Sequence, residues 1–145
     1  MIYKIHQLKS LVLIISLALC GCAASIDHVK LGDQYADKGQ HDQAIIEYTQ
    51  AIENNSTNAS AYYSRALSYI HQNKYADALS DGEKVIALQP QFAYGYYIKA
   101  ISCENLQRYG EAIKAYRSFI QYAVSDKDQS LVNDAWHRID ELRKK

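Results

Sequence analysis

This sequence contains little proline and little glycine, and it carries no formal net charge. Its 145 residues contain one Pro and six Gly, and sixteen Lys and Arg balance sixteen Asp and Glu. Few helix-breaking residues and 48% hydrophobic content favour one ordered, helical domain over a disordered chain. The balanced charge excludes an overall positive field of the kind that attracts nucleic acid.

The sequence also lacks an apolar run long enough to cross a membrane. Its longest run, Leu11 to Leu19, is interrupted by Ser16 and has half of the roughly 20 residues that a spanning helix needs. The preceding segment contains Lys4 and Lys9 and no acidic residue. A basic segment followed by a short apolar segment is typical of a secretory signal peptide, so we expect residues 1–21 to be one.

The apolar run ends in Leu19-Cys20-Gly21-Cys22, which resembles the lipobox of bacterial lipoproteins. Cys22 is the expected modified residue, because a modified Cys20 would place the bulky Leu19 at the cleavage position. The resemblance implies a diacylglycerol on Cys22 and a lipidated N-terminus at 22–24, and Ala23 resembles the enteric signal for the outer membrane. The alternative is an ordinary cleaved signal with a soluble product.

Cysteine is too scarce to supply a disulfide after such processing. Of three cysteines, Cys20 would be removed and Cys22 acylated, which leaves Cys103 alone. The fold must therefore be stabilised by packing.

A 34-residue period is present in the rest of the chain. Residues 62–66 (YYSRA) resemble residues 96–100 (YYIKA), and residues 75–79 (YADAL) resemble residues 109–113 (YGEAI). A weaker copy of the second pattern occupies residues 41–45. This period and its alanine and aromatic positions resemble those of tetratricopeptide repeats (TPR).

The resemblance implies an all-α, right-handed superhelix of three helix-turn-helix units, 25–58, 59–92 and 93–126, followed by a capping helix at 127–145. Asp126 or Asp128 is expected to cap the last helix. The predicted helices span residues 26–38, 42–54, 59–72, 75–88, 93–106, 109–123 and 128–143.

Small residues recur where the two helices of each unit should cross. Ala44, Ala78 and Ala112 hold one such position, and larger side chains there would separate the helices. Gly82 occupies a position that is aromatic in the family, which predicts a thin region of the core. Ala59, at the start of a unit, is expected to tolerate a large side chain.

The sequence contains no pattern typical of an enzyme, a metal site or a cofactor site. It has no glycine-rich phosphate loop and no HExxH pattern. His137 and Glu141 lie four residues apart, but two ligands do not make a metal site. We interpret His71 as exposed polar decoration and Cys103 as a buried small residue.

Function is therefore expected on the concave surface that stacked hairpins create. The resemblance places an apolar groove on the first helix of each unit, lined by Tyr63, Leu67, Ile70, Tyr94, Tyr97, Ile98 and Ile101. The alternative is that Tyr63, Tyr97 and Ile101 partly pack against neighbouring units or the capping helix. A chaperone-binding subgroup of the family holds a peptide carboxylate with Lys and Asn, but those positions here are occupied by Val29, Asp33, Ser64, Tyr94 and Ile98.

The predicted function is non-enzymatic: an adaptor or scaffold that binds protein or peptide partners in cell-envelope assembly. The expected location is the periplasmic face of the outer membrane, with the N-terminal lipid as anchor. No nucleic acid, small-molecule substrate or cofactor is expected. The alternative is a secretion or pilin chaperone that transiently holds a client segment.

The lipobox resemblance predicts that Cys22→Ser abolishes lipidation and leaves the precursor unprocessed. Metabolic labelling with a fatty acid measures this. Label on the Cys22→Ser protein would show that the modified residue is assigned wrongly.

Overall fold

The computed structural model describes residues 27–123 and 128–145, which form seven helices. The signal peptide and Cys22 predicted within residues 1–26, and Asp126, lie outside the described residues. The helices are α1 His28–Asp37, α2 His41–Asn54, α3 Ala59–His71, α4 Tyr75–Leu88, α5 Ala93–Asn105, α6 Tyr109–Tyr122 and α7 Gln129–Leu142. Every bound lies within two residues of its predicted position. The fold is the predicted all-α superhelix of three hairpins and a capping helix.

The turn inside each hairpin has the same backbone geometry. Gly39, Asn73 and Gln107 lie 34 residues apart and have positive φ angles of 71°, 59° and 59°. The next residue in each turn donates its N–H to the carbonyl five residues earlier, at 2.8 or 2.9 Å. The left-handed residue therefore ends the first helix and satisfies one of its last carbonyl groups.

The helices form two layers. Helix α3 contacts both α1 and α5, whereas α2, α4 and α6 make no backbone contact with one another in the described part of the chain. The first helices thus lie closer together than the second helices, so α1, α3 and α5 line the concave face. Helix α7 packs against α6 and covers the end of the array. No described helix has the length and apolar character needed to cross a membrane.

Small residues lie at every hairpin crossing, as predicted. Ala44, Ala78 and Ala112 are each 0% exposed. At Gly32 an added Cβ would stand 2.5 Å from Cε1 of Tyr48, so this crossing admits no side chain at all. From α4 to α7 the core is continuous and consists of Leu79, Ala93, Ala100, Cys103, Ala112, Ala115, Tyr116, Phe119, Ala135, Ile139 and Leu142.

An arginine joins the first two hairpins. Arg65 donates from Nε and Nη2 to the two carboxylate oxygens of Asp81, both at 2.8 Å, and from Nη1 to Thr49 Oγ1 at 2.9 Å. Asp81 is 4% exposed, so burial raises its pKa and the Arg65 charge opposes that rise. The guanidinium thereby connects α3 to α4 within its own unit and to α2 of the preceding one.

The hairpin crossings predict that Ala78→Trp destabilises the domain, because an indole would overpack a position with no exposed surface. We expect a loss of about 1–3 kcal/mol or more in the free energy of unfolding. Ala76→Trp is the matched control, since Ala76 lies on the same helix and is exposed. Equal melting temperatures for the two variants would contradict the crossing.

Ala59→Trp does not serve as a control. The expectation that Ala59 tolerates a large side chain is wrong, because this residue is only 6% exposed at the start of α3.

Candidate functional site

The concave face carries most of the predicted groove residues with part of their surface free. Leu67, in the middle of the face, is 37% exposed. The other side chains are partly exposed: Tyr63, Ile70, Tyr94, Tyr97 and Ile101. They form one apolar strip on α3 and α5, called the concave strip below.

Ile98 does not belong to this strip, and its assignment to the groove is wrong. It is 1% exposed, and its Cγ2 atom lies 2.8 Å from where a Cβ on Gly82 would stand. Position 82 corresponds to Tyr48 in the first unit and Tyr116 in the third. Ile98 turns inward to occupy the volume that a tyrosine ring fills in those units. The expected thin region of the core at Gly82 is therefore absent as well.

The tyrosines of the concave strip also pack against other aromatic rings of the domain. The Tyr97 ring lies 4.9 Å from the Phe119 ring and 6.2 Å from the Tyr116 ring, measured between centroids. Tyr63 meets Phe92 edge-on at 5.5 Å. Burial raises the pKa of both Tyr63 and Tyr97. Tyr63 also meets Tyr94 of the next unit at 6.1 Å, so the self-packing alternative holds for part of the Tyr63 surface, and both Tyr63 and Tyr97 stay partly exposed.

Tyr94 connects the strip to the start of the capping helix. Its hydroxyl donates a hydrogen bond to Asp128 Oδ1. That bond, with burial and the carboxylate charge adding to it, raises the pKa of Tyr94 to about 12. The Asp128 side chain makes no capping bond to α7, contrary to the expectation, because its carboxylate faces Tyr94 instead.

Two buried tyrosines present their hydroxyls to carboxylates of the concave face. Tyr48 donates to Asp33 Oδ1 at 2.7 Å, and Tyr116 donates to Glu104 Oε2 at 2.8 Å. Burial, the hydrogen bond and the carboxylate charge all raise the pKa of each tyrosine. Each pair places an acidic group at one end of the concave strip.

A cavity lies beside each acidic group. The N-terminal cavity measures about 490 Å³ and is lined by Asp33, Ala36, Asp37, His41, Tyr48, Ser64, Leu67, Ser68 and His71. The C-terminal cavity measures about 210 Å³ and is lined by Tyr97, Ile101, Glu104, Asn105, Tyr116, Asp134 and Arg138. Arg138 of the capping helix reaches Glu104 at 3.1 Å and Asp134 at 3.8 Å.

A histidine pair forms one wall of the N-terminal cavity. The rings of His41 and His71 stack at 4.5 Å with an interplanar angle of 9°. His71 is exposed, as predicted, whereas sequence reasoning missed His41 because it belongs to the preceding unit. Both histidines lie at hairpin turns, and only the stacking of the units brings them together.

The remaining candidates for chemistry are isolated. The described residues contain no cluster of three His, Cys, Asp or Glu side chains that could hold a metal ion. His137 Nε2 lies 3.5 Å from Glu141 Oε1 on an exposed face of α7. Cys103 is 0% exposed, as predicted, and burial raises its pKa, which favours the unreactive thiol over the thiolate.

Two family models match the chain. A model described as a TPR repeat matches residues 32–72, and a model described as a tetratricopeptide repeat matches residues 59–92. Residues 32–92 therefore contain tetratricopeptide repeats, as the 34-residue period predicts. Tetratricopeptide domains are in general non-enzymatic modules for protein interaction.

Known proteins share this domain at modest identity. Serine/threonine-protein phosphatase 5 of Rattus norvegicus is 32% identical over 99 residues, which cover 68% of this chain and 20% of the phosphatase. The chain thus spans about a fifth of the length of this phosphatase and of Hsp70-Hsp90 organizing protein 1 of Glycine max.

Solved structures show the same fold. The first TPR of Spaghetti (RPAP3), bound to the HSP90 peptide SRMEEVD, has a TM-score of 0.68 at 23% identity and covers 78% of this chain and 90% of its own. The type III secretion translocator chaperone SycD of Yersinia enterocolitica has a TM-score of 0.76 at 8% identity and covers 80% and 81%.

The raised tyrosine pKa values predict a loss of stability at high pH. An unfolded tyrosine titrates near 10, whereas folding holds Tyr116 and Tyr94 neutral to higher pH. Their stabilisation is complete below pH 10 and is lost as the pH rises through the folded values, about 12 for Tyr94. Denaturant titrations on both sides of pH 10 should show this decline. Tyr116→Phe keeps the ring without the ionising hydroxyl, so its decline should be shallower; an equal decline would contradict the argument.

Proposed function

We propose that this chain is a lipid-anchored adaptor or scaffold of the bacterial cell envelope. In this proposal acyl chains on Cys22 hold it at the periplasmic face of the outer membrane, and the tetratricopeptide domain binds a protein partner there. The Leu19-Cys20-Gly21-Cys22 segment supports the anchor. Two or more acyl chains give stable anchoring, since each buried methylene contributes about 0.8 kcal/mol.

The concave strip is the observation that carries the binding function. Leu67, on α3, keeps 37% of its surface exposed. Partly exposed tyrosines flank it, and Tyr is frequent among the residues that dominate binding energy at interfaces. A continuous apolar strip on a concave face suits an amphipathic helix or an extended segment with apolar side chains.

The rings of the strip are held in place before any partner binds. Phe119 and Tyr116 support one side of Tyr97, and the hydrogen bond to Asp128 orients Tyr94. Side chains that are already ordered lose less conformational entropy on binding, which leaves more of the contact energy for affinity. The strip therefore suits a partner that binds a rigid surface.

The anchor is tested by comparing the full-length chain with two serine variants after fractionation of bacterial membranes. Cys22→Ser should leave the outer-membrane fraction, whereas Cys20→Ser, the matched control, should remain there. Retention of the Cys22→Ser protein in that fraction would contradict the proposed anchor.

The alternative is a secretion or pilin chaperone that holds a client segment only until the client assembles. SycD carries the word chaperone in its name and has the same fold, but at 8% identity the likeness extends to the fold alone. Capture of the intact protein from membranes separates the two functions. A long-lived complex of constant stoichiometry supports the scaffold, and release when the client assembles supports the chaperone.

The concave strip predicts that Tyr97→Ala weakens partner binding by well over 1 kcal/mol, as loss of a buried aromatic anchor does. Stability should fall less than for Tyr116→Ala, because Tyr116 is 1% exposed and Tyr97 is only half-buried. Ile46→Ala is the binding control, since Ile46 is 59% exposed on α2 in the outer layer. The measurements are the affinity for the partner captured by the wild-type chain, and a thermal melt of each variant.

Two outcomes contradict this use of the strip. If Tyr97→Ala unfolds the domain, the ring belongs to the core. If Tyr97→Ala leaves binding unchanged and Ile46→Ala weakens it, the partner occupies the outer face instead.

A further inference from the structure

The two ends of the concave strip are chemically alike but differ in one respect. At both ends a buried tyrosine donates to an acidic side chain, Tyr48 to Asp33 and Tyr116 to Glu104. At the C-terminal end the guanidinium of Arg138 lies 3.1 Å from the same Glu104 carboxylate. Glu104, an acidic residue of the concave face, therefore already binds an arginine of the same chain.

The N-terminal end has no such cation. Within residues 27–123 and 128–145, no Lys or Arg nitrogen lies within 4.0 Å of Asp33 or Asp37. Both aspartates are exposed and line the cavity of about 490 Å³. Their negative charges both contribute to the raised pKa of Tyr48, as expected for two carboxylates near its hydroxyl.

The lining of this cavity suits a long basic side chain. Leu67 and Ala36 offer apolar surface for a methylene stem, while Asp33 and Asp37 offer carboxylate oxygens for the charged head. Lys and Arg commonly lay their stems on apolar surface in this way. Carboxylates bind a guanidinium through charge-assisted hydrogen bonds that are stronger than neutral ones.

We propose that the N-terminal cavity receives an arginine or lysine side chain of the protein partner. The partner segment then has apolar residues that lie on the concave strip and a basic residue at the end that lies against α1 and α3. This inference rests on the proposed function, because it names the chemistry of the partner that the strip binds.

The proposed partner segment is opposite in charge to the acidic peptide that one structurally similar domain binds. The peptide SRMEEVD bound to the first TPR of Spaghetti contains three acidic residues. The N-terminal cavity of this chain would repel such a segment, because its lining includes two carboxylates and no Lys or Arg. Opposite charges across an interface select partners and like charges reject them.

The test uses the full-length chain in detergent and three synthetic peptides. Each peptide has the same Leu- and Tyr-containing centre, and the residue at both ends is Arg, Gln or Glu. Binding is followed by fluorescence anisotropy at low and high salt. We expect the Arg peptide to bind about tenfold more tightly than the Gln peptide at low salt and the Glu peptide to bind more weakly still. High salt should reduce the difference.

The double variant Asp33→Asn with Asp37→Asn tests whether the N-terminal cavity is the site that binds the basic side chain. Asparagine keeps an oxygen that can accept from the Tyr48 hydroxyl, so the fold should persist, and a thermal melt checks this. The variant should lose most of the preference for Arg over Gln. Asp140→Asn is the matched control, because Asp140 is an exposed aspartate of α7 outside both cavities, and it should keep the preference.

The outcomes distinguish this inference from the proposed function. If the Arg and Gln peptides bind with equal affinity and Tyr97→Ala abolishes that binding, the inference of a basic partner is overturned. The concave strip then remains a binding surface. No binding of any peptide, together with partner capture that Tyr97→Ala does not affect, would overturn both. A preference for Arg that Asp33→Asn with Asp37→Asn does not reduce would place the cation elsewhere and also overturn the inference.

Discussion

The close approach of two helices within each hairpin is the constraint on which the rest of this structure depends. Ala44, Ala78 and Ala112 have no exposed surface, and at Gly32 even a methyl group would collide with Tyr48. Because the crossings admit so little, every hairpin has nearly the same shape. Three hairpins of one shape, joined by turns of one geometry, stack with their first helices inward, and this stacking creates the concave face.

The contacts between hairpins are less regular, and they give the concave face its chemistry. Tyr48 and Tyr116 each fill a space at the edge of their own unit, and each donates a hydrogen bond to an acidic residue. Gly82 holds the corresponding position of the second unit, and Ile98 of the next unit occupies the space there. The middle of the face therefore has no tyrosine–carboxylate pair and is apolar. The two ends are acidic, and the capping helix supplies a cation to only one of them through Arg138.

Binding and stability are connected in this arrangement. Tyr97 keeps part of its surface exposed on the concave face and packs against Phe119, which is 0% exposed. Tyr94 likewise lies on the concave face while it holds the start of the capping helix through Asp128. A partner that covers these rings should therefore stabilise the domain as it binds, since it adds contacts present only in the folded state.

The 34-residue period alone determined the hairpins, because each unit is built from local contacts: small residues at a crossing and a turn with one left-handed residue. It therefore predicted the bounds of α1 to α6 to within two residues, and the resemblance to tetratricopeptide repeats added the capping helix and the expectation that Tyr63, Leu67 and Tyr97 share one face. The tertiary structure decided what depends on side chains from different units. Ile98 is buried because Gly82 of the preceding hairpin leaves a space, and Asp128 meets Tyr94 across the capping interface. A repeat pattern assigns each position a common role, and that role changes wherever a neighbouring unit replaces a large side chain with a small one.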